Sequence, residues 1–191
     1  MSAKRAIGAG VKYIIGIDMS LRDTGVCVLD NMGNRIEVFS VKTTSGWSDH
    51  RSIDHIVEDL FRRLEPYMTE ELCQKKAVVV FFEDFFYTKG GRAAQGKLDG
   101  RLQAFGTVNW LLRASGIRAW AATPSALTSF LLGKAPRKSE DKKKAVMLWL
   151  HQNRNYYTTN NNHADAYMCA EFGRAYLIEG QRLTVRALFN G

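Results

Sequence analysis

The run Ala77-Val78-Val79-Val80-Phe81-Phe82 holds no polar residue. A strand with one face in water alternates polar and apolar side chains, so a strand that is apolar at every position has both faces covered. Residues 77–82 therefore belong at the centre of a sheet with helices on either side, an α/β arrangement. The run ends on an acid, Glu83. A second strand-like run, Tyr13-Ile14-Ile15-Gly16-Ile17, also ends on one, Asp18, and a third acid, Asp165, opens a helix that begins near His163. A buried strand releases its end into a crevice, where acids from distant segments can meet without entering the core. Carboxylates meeting there repel one another unless a divalent cation neutralises them, which brings Mg²⁺ or Mn²⁺ into the expectation.

The flanking pattern supplies the rest of an α/β domain. Residues 12–18, 24–30 and 35–42 are short β-rich runs separated by turn sequences at 20–23 and 31–34, and form an antiparallel meander. Asp49 can cap a helix reaching about Leu72, with Ile53, Ile56, Val57, Leu60 and Leu64 at helical spacing. Over residues 97–114, Leu98, Leu102, Phe105, Val108 and Leu112 define one helix face. Gly96, Gly100 and Ala104 form a second row on it. Glycine inside a helix costs about 1 kcal/mol relative to alanine, so this row implies close packing, within the chain or against a dimer partner. A strand over 116–121, a helix from Thr123-Pro124 to Leu132, another from a cap at Ser139 to about Gln152, and a last one from near His163 follow. The expected fold is a five-stranded mixed sheet, three antiparallel strands and then two parallel ones, flanked by helices. Its 191 residues, 46% of them hydrophobic, suit one domain over residues 11–180, with a basic arm at 1–10 and a tail at 181–191.

Charge and cysteine usage narrow the function. Lys and Arg total 27 against 19 Asp and Glu, and a net charge of +8 favours an anionic partner such as nucleic acid. The three cysteines, Cys27, Cys73 and Cys169, form no CxxC pair, which speaks against a disulfide framework or zinc knuckle and for a reducing cytoplasm. No apolar run approaches the ~18 residues that span a bilayer, so no membrane is expected.

The ordered acids carry a resemblance. The segment Gly16-Ile17-Asp18-Met19-Ser20-Leu21-Arg22-Asp23-Thr24-Gly25 looks like the first motif of the RuvC family of Holliday junction resolvases, a strand-end Asp before a turn and a Gly-marked second strand. Phe82-Glu83-Asp84-Phe85-Phe86 is similar to the second, a strand-end Glu followed three residues later by an aromatic, and Ala164-Asp165-Ala166-Tyr167 resembles the last. The likeness runs over roughly residues 12–178 and suggests a divergent, phage-type member. It implies an RNase H-like fold and a metal-dependent endonuclease, usually a homodimer, that nicks two opposed strands of a four-way junction. Asp18, Glu83 and Asp165 match the acidic positions and would be metal ligands for two Mg²⁺ ions per site, with Asp18 bridging. Phe86 matches the aromatic that helps open the junction, and Lys143 lies near a family lysine.

Two departures stand out. Met19-Ser20 replaces the frequent Pro-Gly after the first Asp, and Asn162 stands where the family places its fourth ligand, three residues before the last Asp. An amide binds Mg²⁺ more weakly than a carboxylate and adds no charge. His163, one residue later, could take that place, orienting water or assisting a proton transfer. Natural divergence, a His-assisted site and an inactivating exchange of Asp for Asn all fit the sequence.

Cutting in line at phosphorus, such a site leaves 5′-phosphate and 3′-hydroxyl ends. Lys134, Arg137, Lys138, Lys142, Lys143 and Lys144 form a basic stretch able to clamp phosphates. Phe86 and Tyr87, interleaved with Lys89 and Arg92, can stack on unpaired bases. The alternatives are a broader nuclease of flaps and branched DNA, and a catalytically impaired DNA-binding relative. A GID turn also occurs in the actin and sugar-kinase superfamily, whose two-domain fold 191 residues cannot hold.

Overall fold

The computed structural model describes residues 10–84, 92–134, 136 and 138–189, with the backbone alone at 92–98 and 189. Six strands form one mixed sheet: β1 (Tyr13–Asp18), β2 (Asp23–Asp30), β3 (Arg35–Lys42), β4 (Val78–Glu83), β5 (Arg118–Ala122) and β6 (Arg186–Phe189), in the order β3-β2-β1-β4-β5-β6. β1 pairs antiparallel with β2, and β2 with β3, while β1–β4 and β4–β5 are parallel. The meander and the central apolar strand are as the sequence implies. The strand count differs: part of the tail expected at 181–191 pairs antiparallel with β5 as a sixth strand. Arg186 also forms an ion pair with Asp84, just beyond the end of β4.

Helices cover both faces. On one lie α1 (Asp49–Leu64) and α3 (Arg92–Ala114), where Ile53, Ile56, Leu60, Val108 and Leu112 pack on Ile15, Ile17, Val80 and Phe82. On the other lie α4 (Pro124–Leu132), α5 (Ser139–Arg154) and α6 (Asn161–Leu177), whose Leu127, Val146, Leu150, Tyr167 and Phe172 pack on Ile14, Leu29, Val79 and Phe81. The side chains of β1 and β4 thus alternate between two cores, as a strand buried on both faces must.

Local chemistry sets the helix ends. Ser48 rather than Asp49 caps α1, accepting the Arg51 N–H. The helix expected to reach Leu72 stops at Leu64, because Pro66 has no N–H to continue it, and α2 (Glu70–Gln74) restarts behind a Thr69 cap. Asn160 caps α6 by accepting the Asn162 N–H, so the helix begins at Asn161 rather than near His163. Gly100 and Ala104 of the small-residue row pack within the chain. A Cβ on Gly100 would lie 2.5 Å from Leu21 Cδ1 and 2.7 Å from Asp49 Oδ2, and Ala104 is buried. Among the described residues no helix is long and apolar enough to cross a membrane.

Candidate active site

Asp18 and Glu83 are the last residues of β1 and β4, which run parallel side by side and so release both acids at the same edge of the sheet. Asp165 reaches that edge because α6 lies directly on β1 and β2. The close approach depends on two missing side chains. A Cβ on Gly16 would stand 2.0 Å from the Ala166 carbonyl oxygen and 2.5 Å from the Ala170 nitrogen, and one on Gly25 would stand 2.1 Å from the Asn162 carbonyl oxygen. Gly16 of the GID motif is therefore a seat for the helix that carries the third acid.

The three carboxylates share an electrostatic environment. Asp18 is 6% exposed. Burial, with repulsion from Glu83 and Asp165, pushes its pKa up to about 8 against the pull of Arg101 and Lys143. Burial and the charge of Asp165 push Glu83 up to about 7. Burial pushes Asp165 up to about 6, with Lys143 and Arg101 opposing. Even so, among the described residues no three acidic, histidine or cysteine side chains converge closely enough to grip one ion. The two findings are compatible: charges act over many ångströms, whereas cation–oxygen bonds span about 2.0–2.6 Å.

Arg101 is paired with Asp18. From α3 its Nε donates to the Met19 carbonyl at 2.5 Å and its Nη2 donates to Asp18 Oδ1 at 3.2 Å. The sequence reading missed it, since an arginine on a helix ordinarily reads as solvated. The one available signal was the adjacent Gly100, which lets α3 approach Leu21 closely enough to deliver the next side chain to the end of β1.

Two clefts flank the acids. One, of about 650 Å³, is lined by Asp18, Ser20, Arg22, Asp49, Arg101 and Asn162. The other, of about 400 Å³, is lined by Glu83, Asp165, Ser139, Lys142 and Lys143 among others. Basic groups thus stand on both sides of the carboxylates.

The remaining expected residues divide. Asn162 lies beside Asp18 in the larger cleft, its Nδ2 donating to the Asp23 carbonyl at 2.8 Å. His163, expected to serve the acids, lies in the first turn of α6. Its Nε2 lies 2.8 Å from Ser40 Oγ and its Nδ1 3.3 Å from the Tyr156 hydroxyl, so both ring nitrogens are engaged on the β3 side. Burial holds its pKa below the ordinary value, and the charges acting on it are those of Asp23 and Lys42. Lys134 and Lys138 are exposed. Lys144 lines a separate groove with Leu148, His151 and Tyr157. Phe86, Tyr87, Lys89 and Arg137 lie outside the described residues, and Arg92 is described only as the first residue of α3.

No protein-family model matches the sequence, and no curated protein matches it. Solved structures do. RuvC of Thermus thermophilus in complex with a Holliday junction substrate aligns with 93% of this chain and 99% of its own, with a TM-score of 0.69 at 16% identity. A further structure of Thermus thermophilus RuvC covers 92% and 99%, with a TM-score of 0.68 at 20% identity. The fowlpox virus Holliday junction resolvase covers 86% and 99%, with a TM-score of 0.51 at 13% identity. At these identities the likeness is one of fold: the chain has the RNase H-like architecture of these resolvases, over nearly their whole length.

Proposed function

We propose that this chain is a metal-dependent endonuclease that resolves four-way DNA junctions by paired nicking. The observation that carries the proposal is the placement of Asp18, Glu83 and Asp165 at one sheet edge, lining two clefts that each bear basic side chains. Their donor chemistry fits a hard divalent cation. All are carboxylate oxygens, and burial and mutual repulsion hold them partly protonated near neutral pH, a cost that Mg²⁺ or Mn²⁺ would remove. Asp18, Glu83 and Asp165 would hold the metal, two ions per site, with the Asn162 amide as a weaker oxygen donor beside Asp18. The bound metal supplies an activated water and charge compensation at phosphorus.

The chain's own residues do the rest. Lys142 and Lys143 border the cleft with Glu83 and Asp165, where they can hold the phosphates of a strand entering from that side. Arg22 offers a second cation across the acids, its Nη1 tied to the Thr44 carbonyl at 2.9 Å. A strand laid across both clefts would present one backbone phosphate to the carboxylates. Two opposed nicks require two such sites, so the assembly proposed is a homodimer. Its products carry 5′-phosphate and 3′-hydroxyl ends, and its free cysteines suit a reducing cytoplasm.

One observation favours a second reading, a DNA-binding relative that does not cut: a neutral amide, Asn162, stands beside Asp18 where a fourth carboxylate would be. Incubating the protein with four-way, Y-shaped and linear DNA, with and without Mg²⁺, and mapping the ends separates the two. Symmetric paired nicks in the four-way junction that need Mg²⁺ support the resolvase. Selective junction binding without nicks in Mg²⁺ or Mn²⁺ supports the second reading. Equal affinity for all three DNAs contradicts both.

A further inference from the structure

We propose that Arg101 is a displaceable cation of this site: it holds Asp18 in the cation-free protein and, with Asp18 given over to a divalent cation, faces the DNA phosphate at the scissile position. The inference rests on the nuclease reading of the carboxylates and adds a residue that the acidic motifs do not contain.

Geometry supplies the two halves of this role. The Nε bond to the Met19 carbonyl is short, 2.5 Å, whereas the Nη2 contact with Asp18 is 3.2 Å. Loss of the contact with Asp18 leaves the Nε bond to the Met19 carbonyl in place, beside the end of β1. The side chain is 34% exposed and lines the larger cleft together with Arg22, Ser20 and Asn162, so a phosphate entering that cleft meets it directly. Asp18 Oδ1 cannot serve a guanidinium and a metal ion in the same place, and the two positive charges repel.

Arginine suits the second half as well. Its planar fork matches two phosphate oxygens, and it stays charged at any working pH. Lysine at this position would keep the charge and lose both the fork and the Nε anchor. A mere pin between α3 and β1 is the competing account, and the two differ in the sign of one observable. A pin, once removed, loosens the site and weakens metal binding. A competitor, once removed, strengthens it.

The test uses the full chain and the variants Arg101→Ala, Arg101→Gln and Arg101→Lys. Mn²⁺ affinity is measured by calorimetry without DNA, and single-turnover cleavage of a four-way junction at saturating Mg²⁺. Arg101→Ala is expected to bind Mn²⁺ about tenfold more tightly or better, as removal of a cation paired with a carboxylate implies. It is also expected to cleave about 100-fold more slowly even when saturated with metal, the usual cost of losing a charge-stabilising donor. Arg101→Lys should fall between it and the unaltered protein in both measurements. Weaker or unchanged Mn²⁺ binding in the folded variants overturns the competitive role, and tighter binding with undiminished cleavage overturns the role at the phosphate. Should Arg101→Ala not fold, Arg101→Gln, which keeps a hydrogen-bond donor toward Met19, decides by the same criteria. If the unaltered protein cuts no DNA, the nuclease reading fails and with it the phosphate role, while the metal titration still decides the competition.

Discussion

At Asp18 three kinds of influence meet: burial, two neighbouring carboxylates, and two cations, Arg101 and Lys143. The first two win, and their balance makes stability depend on pH in a definite direction. In the unfolded chain these acids ionise near ~4, whereas in the folded protein Asp165, Glu83 and Asp18 hold their protons until about 6, 7 and 8. Between about pH 4 and 8 the folded state binds more protons than the unfolded one, so stability falls as pH rises through that window. Thermal scans in EDTA should give a higher Tm near pH 5.5 than at pH 8, and Mg²⁺ should raise Tm more at pH 8 than at pH 6. A flat profile with no Mg²⁺ effect would remove the electrostatic basis of the site. Asn162 offers a second residue-scale test. Asn162→Asp replaces the donor to the Asp23 carbonyl with a charge that repels it, which should destabilise the cation-free protein by about 1–3 kcal/mol. Added Mg²⁺ should restore more of that loss than it gives the unaltered protein, as chemical denaturation would show. The shared placement of the three acids was legible in the sequence because each ends or opens an element. The direction of the His163 ring was not, because adjacent residues on a helix point about 100° apart, which turns it to Ser40 and Tyr156.

The site depends on how closely α6 lies against β1. Gly16→Ala would force a Cβ into the Ala166 carbonyl and the Ala170 nitrogen, both backbone atoms that cannot swing aside. It should cost about 1–3 kcal/mol of stability, as overpacking does, and move Asp165 away from Asp18. Urea denaturation and Mn²⁺ titration of the same protein check both effects, and an unchanged metal affinity would show that α6 is not seated through Gly16. Element identity was legible where periodicity was strong, as in β4 and in the Ile53, Ile56 and Leu60 stripe of α1. It failed where a neighbour decides the structure. The run Arg186-Ala187-Leu188-Phe189 has no alternation of its own and becomes a strand by pairing with the open edge of β5. Likewise α6 starts two residues before the expected point because the Asn160 side chain, not the hydrophobic pattern, sets its first turn.

Across the whole molecule, the surplus of positive charge gains meaning from where the structure puts it. Lys142 and Lys143 border one cleft, Arg22 and Arg101 the other, and the acids lie between. Replacing Lys142 and Lys143 together by Ala should reduce the salt slope of junction binding by up to about two units, near one per phosphate contact. Filter binding across a salt series measures this, and an unchanged slope would place the phosphate clamp elsewhere. The central claim, that the three acids form a metal-dependent cutting site, is tested most directly by single-turnover cleavage of a mobile four-way junction by the unaltered protein and by Asp18→Asn. The expected result is cleavage in Mg²⁺, none in EDTA, and a rate for Asp18→Asn lower by about 1,000-fold or more, the scale on which loss of a key catalytic group is felt. Cleavage that persists in EDTA, or that survives Asp18→Asn at full rate, would contradict the account.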